Sequence, residues 1–133
     1  MKKFLAGLAL TVGAVALIAP TVWAGSPHFV TVQATTSGNT LTVSGKEAGL
    51  GNETQVHIVV TADALCVNRG GNNPNATNKT SVTAAGDFPV QNGKAVFSLT
   101  ATAVFQPNCS PPMGVVFENI VVSDAEHGVT ATL

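Results

Sequence analysis

The chain has 133 residues, of which 10% are charged and 45% hydrophobic, and its formal net charge is −1. This length suits one domain with a single core and leaves no room for two. Its six Lys and Arg residues form no basic cluster, so we expect neither a nucleic-acid partner nor attraction to an anionic membrane surface.

The first segment has the three-part pattern of a secretory signal peptide. A positive start is followed by the uncharged, mostly apolar residues 4–19, and Val22 and Ala24 stand at the −3 and −1 positions of a cleavage site. The apolar run is shorter than the roughly 18–20 residues of a spanning helix, so a retained anchor is the weaker alternative. We predict cleavage after Ala24, with a signal peptide over residues 1–24 and one domain over residues 25–133.

The predicted cleavage changes the charge of the remaining chain. It leaves four Lys and Arg side chains against seven Asp and Glu, and four minus seven gives −3. No cysteine lies directly after the apolar run, so a bacterial lipoprotein anchor is not indicated. The short Met-Lys-Lys start is typical of bacteria. We therefore expect a secreted or otherwise extracytoplasmic bacterial protein without stable membrane insertion.

Short β-strands are predicted in the first half of the exported part, because apolar and polar residues alternate in runs broken by turn residues. Residues 29–36 and 40–44 are the first two strands, joined by a turn at residues 37–39. Residues 46–53 are predicted as a Gly-containing loop, and residues 54–67 hold a third strand with Val and Ile on one face.

The second half continues this pattern. Residues 80–84 and 88–91 are predicted as two short β segments, and the pair Asn92 and Gly93 follows them. Because Asn and Gly tolerate positive φ, this pair predicts a type I′ hairpin turn. The strand at residues 97–105 has the clearest alternation of apolar and polar side chains.

Two further strands complete the predicted domain. They are residues 115–122 and 129–133, joined by residues 123–128. About seven short strands at this spacing predict an all-β fold, an antiparallel immunoglobulin-like β-sandwich.

The two cysteines of an exported chain predict one disulfide, between Cys66 and Cys109. If the chain only bends at Gly86 within one strand, both cysteines lie at the same end of the sandwich. The bond then links the loop at residues 68–78 to the loop at residues 106–114. A tight hairpin at Gly86 would reverse the strand direction and remove this argument.

The Asn-rich loop between the third and fourth strands is the candidate ligand loop. It offers side-chain amides and one guanidinium to a polar ligand, although Asn and Gly also fill ordinary turns. It contains no carboxylate, which argues against a calcium loop of the usual kind. The candidate ligand residues are Asn68, Arg69, Asn72, Asn73, Asn75 and Asn78.

The sequence predicts no metal site, no cofactor and no catalytic residues. His28 and His57 have no second His at metal-binding spacing. Asp124, Glu126 and His127 could together bind a divalent ion weakly, but a solvated hairpin loop is the interpretation we favour. No nucleophile elbow, phosphate loop or paired carboxylates on one strand were found, which indicates a protein that is not an enzyme.

Three segments resemble bacterial exported Ig-like domains: TLTVSG at residues 40–45, SVTAAG at 81–86 and VSDA at 122–125. The order and total length are similar to the neocarzinostatin-type apoproteins, which are small secreted sandwiches that carry a chromophore in a cleft. The resemblance implies an Ig-like sandwich with an aromatic-lined cleft. That family usually has two disulfides, whereas this chain has cysteines for one.

These features favour an exported, non-enzymatic binding or interaction module that uses the loop end linked by the disulfide. Its partner would be a protein or a small molecule. Two alternatives stay open, a structural subunit of an extracellular or cell-surface assembly and a small-ligand carrier. The sequence does not define the ligand or the oligomeric state.

Overall fold

The computed structural model describes residues 26–68 and 78–133, in which β-strands predominate. The predicted signal peptide at residues 1–24 lies outside these ranges, so its cleavage stays a prediction. Within them, no helix is long and apolar enough to cross a membrane.

The described part of the chain contains seven strands, which are joined by turns, loops and a 3-10 turn after β6. The strands are β1 (His28–Ser37), β2 (Thr40–Ala48), β3 (Gln55–Val67), β4 (Lys79–Pro89), β5 (Ala95–Thr102), β6 (Gly114–Asp124) and β7 (Val129–Thr132). The 3-10 turn, Ala125–His127, joins β6 to β7.

The strands form two antiparallel sheets that pack face to face. One sheet has the order β1-β2-β5 and the other has the order β4-β3-β6-β7. Consecutive strands β4 and β5 therefore belong to different sheets, and the chain passes between the sheets after Pro89. This arrangement confirms the prediction of an all-β, sandwich-like fold with about seven strands.

Several predicted boundaries were wrong, including that of β5, which ends at Thr102 rather than at residue 105. β4 is one continuous strand in which Gly86 pairs with Ile58, whereas two segments were predicted. Gly86 fits there because a Cβ atom would lie 3.3 Å from Leu99 Cδ2, so the missing side chain leaves room for the opposite sheet. β2 also continues to Ala48, into the predicted loop, because it stays paired with β5 up to Glu47.

The turn at Asn92 and Gly93 is confirmed. Both residues have positive φ, 54° and 76°, as a type I′ turn requires. The flanking residues exchange both backbone hydrogen bonds: Gln91 N–H donates to Lys94 O at 2.8 Å, and Lys94 N–H donates to Gln91 O at 3.0 Å.

The core lies between the sheets and is centred on Phe97. Its ring meets Phe29 edge-on at a centroid distance of 5.8 Å and Phe88 at 6.1 Å. Gly45 lies opposite Phe97 on β2, where a Cβ atom would overlap the carbonyl oxygen of Thr31. Inward side chains of both sheets surround this centre: Leu41, Val43, Val56, Ile58, Val60, Leu99, Ala101, Ala103, Phe105 and Val122.

A β-bulge at Asn119 changes the face that β6 presents to the core. Pairing with β3 shifts by one residue between Thr61 and Asp63, and Asn119 adopts a positive φ of 54°. Asn119 Nδ2 donates to Asp63 Oδ2 at 2.8 Å, which fixes the extra residue. Beyond a bulge the alternation of a strand reverses, so the later inward residues of β6 include Asp124.

Candidate functional site

The disulfide joins the end of strand β3 to the loop between β5 and β6. The Cα atoms of Cys66 and Cys109 are 5.8 Å apart, which confirms the predicted pairing. The condition behind that prediction also holds, because the chain passes Gly86 within one strand. We call this part of the sandwich the disulfide end.

The candidate ligand loop leaves and re-enters the sandwich at the disulfide end. Asn68 directly follows β3, and Asn78 directly precedes β4. The two strands are paired up to Leu65 and Lys79, so the bases of the loop lie side by side. The other predicted ligand residues lie outside the described ranges, and their role stays a prediction: Arg69, Asn72, Asn73 and Asn75.

A surface pocket of about 280 Å³ lies beside the disulfide. Asn39 supports it from the β1–β2 turn: its Nδ2 donates to Ala103 O at 2.9 Å, and Ala103 N–H donates to Asn39 O at 2.8 Å. Val104 is 69% exposed at the rim. The lining is uncharged and consists of Asn39, Ala103, Val104, Phe105, Asn108 and Cys109.

A different group of residues occupies the opposite end of the sandwich. The inward positions of β2 alternate along Leu41, Val43 and Gly45, and the next inward position is Glu47. Glu47 is completely buried, beside the buried Ala95 of β5. β2 therefore brings a carboxyl group into the end of the hydrophobic core.

The second acidic residue reaches this place from the other sheet. Asp124 is the last residue of β6, follows Val122 on the inward face and is also completely buried. It caps the 3-10 turn, since its Oδ1 accepts a hydrogen bond from the His127 N–H at 3.3 Å. Its Oδ2 lies 2.7 Å from His127 Nδ1, which holds the imidazole ring against the core.

Glu47, Asp124 and His127 together form what we call the acid–histidine cluster. One carboxylate oxygen from each acid and one ring nitrogen of His127 lie within 4.8 Å of one another. On the solvent side, Glu53 Oε2 lies 3.6 Å from His127 Nε2, and Glu126 is also within reach of the ring. Only 16% of the His127 side chain is exposed.

Neither carboxylate oxygen of Glu47 has a hydrogen-bond partner among the described residues. Burial raises the pKa of Glu47 to about 8, and the neighbouring Asp124 carboxyl adds to this effect, while the charge of His127 opposes it. Partial burial alone would lower the pKa of His127. The hydrogen bond and charge of Asp124, together with Glu53, outweigh this burial and raise it.

A second His–Asp pair shows how unusual this environment is for the chain. His57 Nδ1 lies 2.7 Å from Asp87 Oδ1, the same distance as in the cluster, but both side chains are 55% exposed. The pair lies on neighbouring strands of the four-stranded sheet. The acid–histidine cluster therefore differs from the His57–Asp87 pair in its burial and in its additional carboxyl group, and not in the distance between His and Asp.

Sequence reasoning grouped Asp124, Glu126 and His127 but did not include Glu47. Glu47 falls within the segment at residues 46–53 that was predicted as a loop. If the alternation of β2 is continued by one step beyond Gly45, it indicates that Glu47 points inward. The burial of Asp124 had no such signal, since it depends on the bulge at Asn119.

An open pocket of about 520 Å³ lies next to the acid–histidine cluster. Glu53 belongs to both, and Lys94 brings a positive charge to the pocket wall. The Asn92–Gly93 turn and the loop after β2 form the remaining wall. We call this part of the sandwich the carboxylate end.

Comparison with family models, with curated proteins and with solved structures found no match for this chain.

Proposed function

We propose that the chain is an exported, non-enzymatic binding module with an immunoglobulin-like sandwich, and that its contact surface is the disulfide end. The disulfide between Cys66 and Cys109 carries this proposal, because it fixes both sides of the surface in one geometry. Binding loops on a rigid scaffold lose less entropy on binding than loops that must first be ordered.

Three connections support the rigidity of this surface. The disulfide links β3 to the β5–β6 loop, and the pairing of Leu65 with Lys79 holds the bases of the Asn-rich loop together. The two hydrogen bonds between Asn39 and Ala103 attach the β1–β2 turn to the same place. Segments from both sheets thus meet at one end.

The chemistry of the surface indicates the class of partner. The pocket lining has side-chain amides and apolar groups but no charged residue. Val104 adds an exposed apolar side chain at the rim. Such a surface suits a neutral partner, either an uncharged patch of another protein or an uncharged small molecule.

Two matched valines test this proposal. Val104 lies at the disulfide end and is 69% exposed, whereas Val96 lies near the carboxylate end of β5 and is 70% exposed. Val104→Asp introduces a charge beside the neutral pocket and should lower capture of the partner by at least about tenfold. Val96→Asp should leave capture unchanged, because it adds the same charge at the far end.

Capture is measured by incubating each immobilised variant with concentrated culture fluid and cell-surface extract of the producing organism. The wild-type chain and a chain with residues 69–77 replaced by a short Gly-containing turn are included. Circular dichroism shows that each variant is folded. Equal capture by the wild-type chain, the loop replacement and Val104→Asp would contradict the proposal.

The edge of β1 favours a second candidate function, a subunit of an extracellular assembly. β1 pairs with β2 alone in the described part of the chain, and its ten residues contain no Lys, Arg, Asp or Glu. Val30 on this strand is 53% exposed. A long, uncharged edge strand favours pairing with another copy.

Sedimentation velocity at high protein concentration tests this second function. Assembly of the wild-type chain that is lost in Val30→Lys would support it, because a lysine on an edge strand opposes edge-to-edge pairing. A wild-type chain that stays monomeric at high concentration would contradict it.

A further inference from the structure

We propose that Glu47, Asp124 and His127 bind one divalent transition-metal cation of the Zn²⁺ type at the carboxylate end. This site is separate from the contact surface proposed above, since it lies at the other end of both sheets.

The geometry of the cluster fits such a cation. Its two carboxylate oxygens and one ring nitrogen lie within 4.8 Å of one another. In a tetrahedral Zn²⁺ site with bonds of about 2.0–2.1 Å, ligand atoms are roughly 3.3 Å apart. Small side-chain rotations therefore bring the three atoms to binding distance, and the fourth position is left for water.

The burial of Glu47 is an independent reason to expect a cation. This side chain is completely buried, its oxygens have no hydrogen-bond partner among the described residues, and it is directed toward Asp124 and His127. A buried carboxyl without a partner is costly. A cation between Glu47 and Asp124 would supply the missing interaction and remove the repulsion between the two carboxylates.

The ligand types select the class of cation. Zn²⁺ accepts imidazole nitrogen together with carboxylate oxygen and is satisfied by three protein ligands and one water. Ca²⁺ takes six to eight oxygen ligands, and Mg²⁺ requires an octahedral set. The cluster provides one nitrogen and only two buried carboxylates, so it suits Zn²⁺ better than either.

The surroundings provide a route from solvent to the site. His127 is the part of the cluster that reaches the surface, and Glu53 and Glu126 lie beside its outer edge. These exposed carboxylates attract a cation toward the ring. Asp124 Oδ2 lies 2.7 Å from Nδ1, so the cation lies on this side of the ring, and Glu53 Oε2, 3.6 Å from Nε2, occupies the far side, where carboxylates behind metal-binding histidines are often found.

Isothermal titration with ZnCl₂ at pH 8 tests the proposal, using protein with its disulfide intact after treatment with a chelator. We expect one Zn²⁺ per chain. Glu47→Gln and His127→Gln should each weaken binding by at least about tenfold. His57→Gln is the matched control, because His57 contacts Asp87 at the same 2.7 Å distance but in solvent, and it should bind Zn²⁺ like the wild-type chain.

Co²⁺ provides a second readout that depends on the ligand set. We expect the visible spectrum of four-coordinate Co²⁺ in the wild-type chain and in His57→Gln, and its loss in Glu47→Gln. Circular dichroism at the same pH establishes that each variant is folded. Absence of a one-to-one complex, or equal weakening by His57→Gln and His127→Gln, would overturn the proposal.

Discussion

The two ends of the sandwich close the same hydrophobic core with opposite chemistry. At the disulfide end, Cys66 and Cys109 form a covalent link beside a neutral pocket. At the carboxylate end, Glu47 and Asp124 meet inside the core with His127 as their contact to solvent. The stability of the disulfide end should not change with pH, whereas the stability of the carboxylate end should depend on pH and on a bound cation. The proposed contact surface and the proposed cation site therefore lie at opposite ends of the sandwich.

Removal of the disulfide has the largest expected effect. The variant with Cys66→Ala and Cys109→Ala should lose up to about 4 kcal/mol of unfolding free energy, because the link closes a loop over a sequence separation of 43 residues. Urea unfolding of the variant and the wild-type chain measures this loss. A loss below about 1 kcal/mol would show that the disulfide end is held by packing alone.

Glu47→Gln tests the difference between the two ends, because the contribution of Glu47 to stability should depend on pH. The pKa of Glu47 is raised from 4.5 to about 8, so the folded chain keeps a proton that the unfolded chain loses between these values. The contribution of Glu47 to the free energy of unfolding is therefore fully present below pH 4.5 and is lost as the pH rises to 8. His127, whose pKa is also raised, acts in the same direction.

We therefore expect Glu47→Gln, in the presence of a chelator, to gain stability relative to the wild-type chain as the pH rises from 5 to 8. A gain of a few kcal/mol is expected, because over this pH range the folded wild-type chain keeps a proton that the unfolded chain has lost. Thermal or urea unfolding at both pH values measures it, with the exposed Glu118→Gln as control. If the difference in stability between Glu47→Gln and the wild-type chain does not change with pH, the pKa of Glu47 is not raised in the folded chain.

Gly93→Ala tests the turn at the carboxylate end and should have a smaller effect. Gly93 has a φ of 76°, so alanine should cost about 1 kcal/mol. Gly114 at the disulfide end is the matched control, because a Cβ atom there meets nothing within 4 Å and its φ is not in the left-handed region. Urea unfolding should show a loss for Gly93→Ala only. Equal effects would contradict the turn assignment.

Local patterns predicted the parts of the fold that depend on neighbouring residues. The alternation of Val56, Ile58 and Val60 predicted the buried face of β3, and Asn92 with Gly93 predicted the turn. The disulfide followed from the cysteine count and strand direction. The first two signals lie within a single strand or turn, and the cysteine count needs no knowledge of tertiary contacts.

The carboxylate end could not be predicted in the same way. Asp124 is buried because the bulge at Asn119 reverses the alternation of β6, and that bulge depends on the pairing with β3. Glu47 meets Asp124 because β2 and β6 belong to sheets that face each other. The continuity of β4 through Gly86 likewise depends on its pairing with β3, in which Gly86 lies opposite Ile58.

The most direct test of the burial of Glu47 beside Asp124 is a ¹³C NMR titration of its side-chain carboxyl in the metal-free protein. The structure predicts a titration midpoint near pH 8, since burial and the neighbouring Asp124 raise the pKa of Glu47 to about 8. A midpoint near the ordinary value of 4.5 would contradict the account of the carboxylate end.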